Sequence, residues 1–148
     1  MTSKLFATSV MCVLAIACSP PAGPPLTISN VVVLEPLPGM NMTAGYLTLA
    51  NDSDQPIGID KVTSPQFARV EMHETVIQDD VARMVALAPL IIEQHSSVQF
   101  EPGGKHLMMS VSSQEIVAGM PVTVEFHYDT NGLLIVATTV SSRDELLD

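Results

Sequence analysis

Two histidines and two methionines carry the most distinctive chemistry in this sequence, because their spacing lets a folded chain direct them at one metal ion. His106 and Met108 are two residues apart on a strand-like segment, and side chains at that spacing share one face of a β-strand. Thioether sulfur is a soft ligand that selects copper(I), and imidazole binds copper in either oxidation state. This pair therefore predicts half of a soft metal site.

His73 and Met84 form a second pair of the same kind. Residues 67–77 and 81–87 are strand candidates on either side of Gln78-Asp79-Asp80, which predicts a hairpin. With the turn centred between residues 78 and 79, His73 lies directly opposite Met84, and such cross-strand Cβ atoms are about 4.5–5.5 Å apart. A shift of one residue would make the pairing diagonal. The two His/Met pairs together predict a four-ligand site for one soft ion.

Other metal chemistries fit the sequence less well. Neither the D-x-[DN]-x-[DN]-G calcium loop nor the H-E-x-x-H zinc motif occurs. Cys12 lies in a predicted leader, so only Cys18 would remain after processing, and the folded domain would offer no thiolate. A blue-copper electron carrier needs a Cys thiolate on its metal. The sequence therefore favours a carrier of copper over a redox relay.

The N-terminal residues predict export. Lys4 precedes an apolar stretch from Leu5 to Ala17, which fits a secretory signal and is shorter than the roughly 20 residues of a membrane-spanning helix. Cleavage after Ala17 would leave Cys18 as the first mature residue. Residues 14–18 resemble a bacterial lipobox, although the leucine lies one residue early. We predict a periplasmic or otherwise extracytoplasmic protein that is anchored to the membrane through a lipid on Cys18.

Four segments follow from composition along the chain. Residues 1–17 form the signal peptide, and residues 18–26 form a Pro-rich tether of polyproline type. Residues 27–140 form one copper-binding β domain, and residues 141–148 form a flexible polar tail. The sequence shows no internal repeat and no second domain.

The charge balance excludes several partners. The formal net charge is −10, from 16 acidic and 6 basic residues. Nucleic-acid binding requires a basic footprint, and docking on anionic lipid requires clustered Lys and Arg. The sequence therefore predicts no nucleic-acid partner, and contact with a membrane only through the lipid anchor. The plain function of the acidity is solubility.

Short apolar runs separated by turn signals predict an all-β domain. No window of eleven or more residues shows a 3.6-residue period, and the strongest hairpin signal is Asp129-Thr130-Asn131-Gly132. Many short strands at about ten-residue spacing favour a β-sandwich or barrel. The predicted strands are 26–34, 44–50, 57–62, 67–77, 81–87, 90–92, 98–100, 106–111, 122–128 and 133–140.

The complete spacing of the four candidate ligands resembles a known family signature. His73, Met84, His106 and Met108 follow the pattern H-x10-M-x21-H-x-M, which is characteristic of the periplasmic copper chaperone family called PCuAC-like. Residues 45–49, 70–74 and 100–108 are similar to the family as well. The resemblance covers about residues 27–140.

This resemblance implies a cupredoxin-like Greek-key β-sandwich or barrel that holds one copper(I) near its surface through these four side chains. It also implies delivery to a copper-accepting protein, such as the CuA centre of a cytochrome c oxidase subunit or another copper chaperone. Some members carry a His- and Met-rich C-terminal extension that binds copper(II). This chain ends in residues 141–148, which contain no His or Met.

The other His and Met residues are predicted to be structural. Met72 and Met109 adjoin candidate ligands, so they point to the opposite face of their strands and belong to the core. Met40 and Met42 lie in a loop, where packing or plain exposure is favoured over shielding or recruiting copper. The remaining three are Met120 at a turn, His95 in a solvated turn, and His127 as a satisfied surface group on a late strand. Glu71 shares a face with His73 and could orient its imidazole.

Two further interpretations stay open. The chain could be a metal-independent β-sandwich adaptor of the cell envelope, or a general copper scavenging or tolerance protein. An enzyme is not predicted, because the sequence lacks a G-x-S-x-G elbow, a phosphate loop and a dinucleotide fingerprint. A monomer is expected.

Overall fold

The computed structural model describes residues 24–146, except residues 88 and 130 and the side chains of residues 145 and 146. The predicted signal peptide, Cys18, most of the tether and the last two residues of the predicted tail lie outside the described residues. The elements are β1 (Leu26–Leu34), β2 (Met42–Asn51), β3 (Ile57–Thr63), β4 (Phe67–Gln78), β5 (Val81–Ala86), β6 (Leu90–Ile92), β7 (Ser96–Phe100), β8 (Lys105–Val111), β9 (Pro121–Tyr128), β10 (Gly132–Ser141) and a 3-10 helix (Arg143–Leu146).

Seven of these strands close into a barrel. Its hydrogen-bonded neighbours run in the order β4-β8-β2-β1-β10-β9-β3, and Val62 on β3 pairs with Val70 on β4 to complete the ring. β1 and β10 run parallel, and the other pairs are antiparallel. Outside the ring, β5 pairs with β4, β6 pairs with β3, and β7 pairs with β2. The predicted all-β architecture is confirmed, in its barrel form.

Side-chain alternation across the strands builds an aliphatic core. Leu47 and Leu49 on β2 point inward, and Thr48 between them faces outward. Met72 on β4 and Met109 on β8 are 4% and 0% exposed, so the prediction that both belong to the core is confirmed. Their sequence neighbours must therefore lie on the outer surface of the barrel wall. This alternation decides which side chains of β4 and β8 are available to a ligand.

The register of the β4–β5 hairpin differs from the predicted one. Met84 pairs with Thr75, and His73 pairs with Ala86, so the predicted direct pairing of His73 with Met84 is wrong. The cause is the turn: Asp79 and Asp80 have φ angles of 52° and 59°, and Gln78 already pairs with Val81. Two successive positive φ values define a two-residue type I′ turn. The result is the diagonal arrangement, which keeps His73 and Met84 on one face.

The segment after β10 lies against the residue that follows β1. The Arg143 side chain donates its Nε–H to the carbonyl oxygen of Glu35 at 3.1 Å. The predicted tail thus includes a 3-10 helix within its described part. No helix in residues 24–146, as far as they are described, is long and apolar enough to cross a membrane.

Candidate metal centre

The four candidate ligands lie on one outer face of the barrel wall. β5, β4, β8 and β2 are consecutive strands of this wall. In their ladders His73 pairs with His106, and Met108 pairs with Glu71. Met84 is diagonal to His73 across β4–β5. Because paired residues and residues two apart point the same way, the side chains of all four residues share this face.

The two imidazoles lie close together. The ring centroids of His73 and His106 are 6.1 Å apart, and the ring planes are tilted by 52°. Metal–imidazole bonds are about 2 Å long, so two rings that bind one ion have their centroids no more than roughly 6 Å apart. The observed separation is at the upper end of this range. The separation of the rings is therefore compatible with one ion held by both of them.

The ring nitrogens of His73, Nδ1 and Nε2, are buried and have no hydrogen-bond partner among the described residues. The side chain as a whole is 13% exposed. A buried polar group without a partner costs about 1–3 kcal/mol. The nearest carboxylate oxygen, Oε2 of Glu71, is 3.9 Å from Nε2, which is too far for a hydrogen bond. A bound metal ion would supply a partner for one of these nitrogens.

A backbone carbonyl group determines which ring nitrogen of His106 is free to bind a metal. Nδ1 of His106 lies 3.0 Å from the carbonyl oxygen of Gly104. A carbonyl oxygen can only accept, so Nδ1 must carry the proton and donate it. Nε2 then keeps its lone pair free for a ligand, which is the usual arrangement for a metal-binding histidine.

The other two histidines differ in this respect. Nε2 of His95 lies 2.9 Å from Oδ1 of Asp54 on the surface. Nε2 of His127 lies 2.9 Å from Oγ1 of Thr63. Both rings are therefore hydrogen-bonded groups, as the sequence predicted for His127, and His95 is 61% exposed, as expected for a solvated turn.

An open cleft of about 260 Å³ lies along this face of the wall. Met84, His106 and Met108 line it, and Met84 is 65% exposed. His73 is not among the lining residues and lies beside the cleft, against His106. A larger groove of about 350 Å³ between β3 and β4 has no thioether or imidazole in its lining. The soft donors are thus concentrated in the smaller cleft.

The sequence did not assign Met40 and Met42 to this cleft, yet both line it. Packing or plain exposure was favoured from the sequence, and the two residues are indeed 54% and 41% exposed. Their position along the cleft was not predicted. Met42 and Ala44 are two residues apart, so they lie on the same face of β2, and Ala44 pairs with Met108. This spacing could indicate that Met42 lies near the site only once the β2–β8 pairing is known.

The charged side chains on β4 and β8 beside the site form ion pairs with one another. Glu71 forms an ion pair with Arg69, in which Oε1 and Nη2 are 2.7 Å apart. Lys105 and Glu74, the pair next to the two histidines in the β4–β8 ladder, are 2.8 Å apart. The distance from Glu71 to His73 gives no support to the predicted orienting role of this carboxylate. Within the described residues no group of three or more His, Cys, Asp or Glu side chains could hold a metal ion, so any metal site at this face depends on the thioethers.

Comparison with known families places nearly all of the described fold in one of them. The model of the family described as "Putative lipoprotein LpqE-like" matches residues 26–140. A protein of Rickettsia prowazekii, "Uncharacterized protein RP573", is 28% identical over 101 residues, which are 68% of this chain and 56% of that protein. The chain thus spans little more than half the length of this relative.

Solved structures share the barrel. The copper-bound PCuAC domain from PmoF2 superimposes with a TM-score of 0.66 at 20% identity, over 82% of this chain and 96% of that domain. Apo-DR1885 from Deinococcus radiodurans gives a TM-score of 0.60 at 26% identity, over 98% of this chain and 99% of that one. The copper(I) form, CuI-DR1885, gives 0.56 at 22% identity, over 86% and 83%.

The closed β-barrel is the fold of the PCuAC domains to which this chain is similar. The chain belongs to the LpqE-like family. The resemblance to the PCuAC-like chaperone family and the cupredoxin-like fold that it implied are confirmed.

Proposed function

We propose that this protein is an extracytoplasmic copper(I) chaperone that binds one copper(I) ion through His73, Met84, His106 and Met108. The observation that carries this proposal is His73, whose two ring nitrogens are buried without partners among the described residues. Its ring lies next to that of His106, which lines a cleft together with the thioethers of Met84 and Met108. Structural relatives in copper-bound and copper(I)-bound forms support the choice of metal.

The donor set suits a monovalent soft ion. Two neutral imidazoles and two thioethers bring no negative charge to the metal, and thioethers favour copper(I) over harder cations. Because the four donors are neutral, no charge–charge attraction between ligand and metal strengthens their bonds to copper(I). Each bond is therefore exchangeable. These properties suit a protein that binds copper and then releases it.

The exposure of the ligands suggests how release begins. Met84 belongs to β5, all of whose described residues are exposed, and its side chain lies open to solvent. His73 is largely covered by comparison. An acceptor would therefore replace the Met84 thioether first and the imidazole of His73 last, with one new ligand forming a bond as each old one leaves.

The acceptor that we propose is an extracytoplasmic copper enzyme such as cytochrome c oxidase, at its CuA centre. The description of the family as a lipoprotein family supports a location outside the cytoplasm. The tether in this proposal is a lipid on Cys18. We expect a deletion strain to have reduced oxidase activity that added copper restores. Unchanged activity at limiting copper would favour general scavenging or tolerance instead.

Competition against a chromogenic copper(I) chelator tests the ligand set. We expect His106→Ala and Met84→Leu each to weaken copper(I) binding by at least about tenfold, which corresponds to about 1.4 kcal/mol. His95→Ala and Met120→Leu are matched controls, because neither side chain lines the cleft, and both should bind as the parent does. Equal affinity in all five proteins would reject the site. Absence of stoichiometric copper from protein purified out of copper-supplemented periplasm would instead favour the adaptor.

A further inference from the structure

Met40 and Met42 are not needed by the four-ligand site, yet they share its cleft. Seven of the nine methionines belong to the described residues, since Met1 and Met11 lie outside them. Their distribution is uneven. Met72 and Met109 are buried and Met120 packs against the core, whereas the other four, namely Met40, Met42, Met84 and Met108, line the cleft.

The backbone holds Met40 and Met42 in place. Met40 closes a turn in which its N–H donates to the carbonyl oxygen of Leu37 at 2.9 Å. Pro38 and Gly39 occupy the central positions of this turn, and Gly39 has a φ of 78°, as a type II turn requires. The carbonyl oxygen of the next residue, Asn41, then accepts the N–H of Val111 at 2.8 Å. Both methionines are therefore fixed at the edge of the wall.

The β2–β8 ladder brings Met42 close to the proposed ligands. Met42 pairs with Ser110, and Ala44 pairs with Met108. Met42 is thus diagonal to Met108 on the same face, at a Cβ separation of about 7–8 Å that long side chains can bridge. At this separation an ion can pass from the sulfur of Met42 to that of Met108 through side-chain rotation alone, without movement of the strands.

The chemistry of the pair separates two interpretations. As apolar packing, leucine would serve equally well, because Leu and Met have similar volumes. As metal donors, only the thioethers count, and a soft monovalent cation is their partner. The net charge of −10 raises the local concentration of cations, while Arg143, which also lines the cleft, lowers affinity within it. These opposing terms favour a weak site over a tight one.

We propose that Met40 and Met42, the outer pair, form a second binding site for a soft monovalent cation, copper(I) or silver(I), next to the His/Met site. The ion passes between the two sites by thioether exchange: one metal–sulfur bond forms as another breaks, and no electron is transferred. The transit role rests on the proposed function. Binding of the ion by the outer pair does not require His73 or His106.

Silver(I) titration of the purified protein, labelled with 13C at the methionine methyl groups, tests this site. In chloride-free buffer we expect the Met84 and Met108 methyl signals to shift with the first equivalent, and the Met40 and Met42 signals to shift beyond it. Equilibrium dialysis should give about two silver ions per chain, falling to about one in Met40→Leu/Met42→Leu, with the first affinity unchanged. Met120→Leu is the control and should keep both.

Two results would overturn the outer site. One is the absence of any shift at the Met40 and Met42 methyl groups under excess silver. The other is a Met40→Leu/Met42→Leu protein with parental stoichiometry, which would mean that the pair serves only as apolar surface.

A His73→Ala/His106→Ala variant separates this proposal from the first one. We expect its Met40 and Met42 methyl groups still to respond to silver(I). If these signals respond while the histidines prove irrelevant to affinity, the outer site stands and the four-ligand chaperone site fails. If the signals require the histidines, the outer pair is not an independent site.

Discussion

His73 is the residue in which stability and binding conflict most directly. Its imidazole is 13% exposed, and both ring nitrogens lack partners among the described residues. A covered position of this kind on the barrel wall is normally given to an apolar side chain, because an unpaired buried nitrogen is destabilising. Such a local violation of packing rules is expected where a residue serves a ligand instead of the fold.

We therefore expect His73→Leu to stabilise the metal-free protein. Removing two buried unpaired nitrogens should raise the free energy of unfolding by about 1–3 kcal/mol, less any strain from the new shape. Urea denaturation of the apo-protein measures this change. Addition of copper(I) should stabilise the parent more than the variant, which lacks one of the four proposed ligands. A variant less stable than the parent without metal would mean that the ring nitrogens are satisfied in solution.

At the scale of the elements, most strands could be predicted from the sequence. Predicted strands 26–34 and 90–92 coincide with β1 and β6, and the other eight are within one or two residues of the observed limits. Alternating apolar residues and Gly, Pro and Asn turns are local signals, so one sequence suffices to read them. The β9–β10 hairpin at residues 129–132 was found in the same way.

The parts of the site that sequence reasoning missed depend on geometry beyond single strands. The predicted β4–β5 register was wrong because Asp79 and Asp80 both adopt positive φ. Aspartate tolerates this conformation, but an Asp-Asp pair indicates a type I′ turn less clearly than Asn-Gly does. Met40 and Met42 were missed because their place depends on the pairing of β2 with β8, which are far apart in the sequence. The closure of β3 onto β4 depends on similar long-range contacts.

This turn offers a prediction at the scale of the hairpin. Asp79→Asn/Asp80→Gly places the preferred type I′ residues at two positive-φ positions and removes two adjacent negative charges. We expect the free energy of unfolding to rise by about 0.5–1 kcal/mol, because less strain is fixed in the turn. Copper(I) affinity should stay the same, since the register of Met84 is retained. A change in affinity would show that the turn residues influence the site.

At the scale of the whole molecule, the barrel places the site at an edge that is easily opened. β4 and β8 belong to the closed ring, and β5 is an edge strand paired to β4. Edge strands with exposed side chains open at lower free-energy cost than strands in a packed wall. The proposed ligands therefore connect a rigid part of the barrel, through His73, His106 and Met108, with a loosely held one, through Met84.

Copper(I) binding should accordingly protect the molecule unevenly from hydrogen exchange. We expect the largest slowing of amide exchange at Val81–Ala86, because an ion bound by Met84 ties this edge strand to β4 and β8. β9 and β10, on the far side of the ring, should change little in amides that exchange by local opening. In Met84→Leu, copper should still slow exchange in β8 but no longer in β5. Equal slowing throughout the barrel would mean that copper acts only on global unfolding, and that Met84 does not link the edge strand to the site.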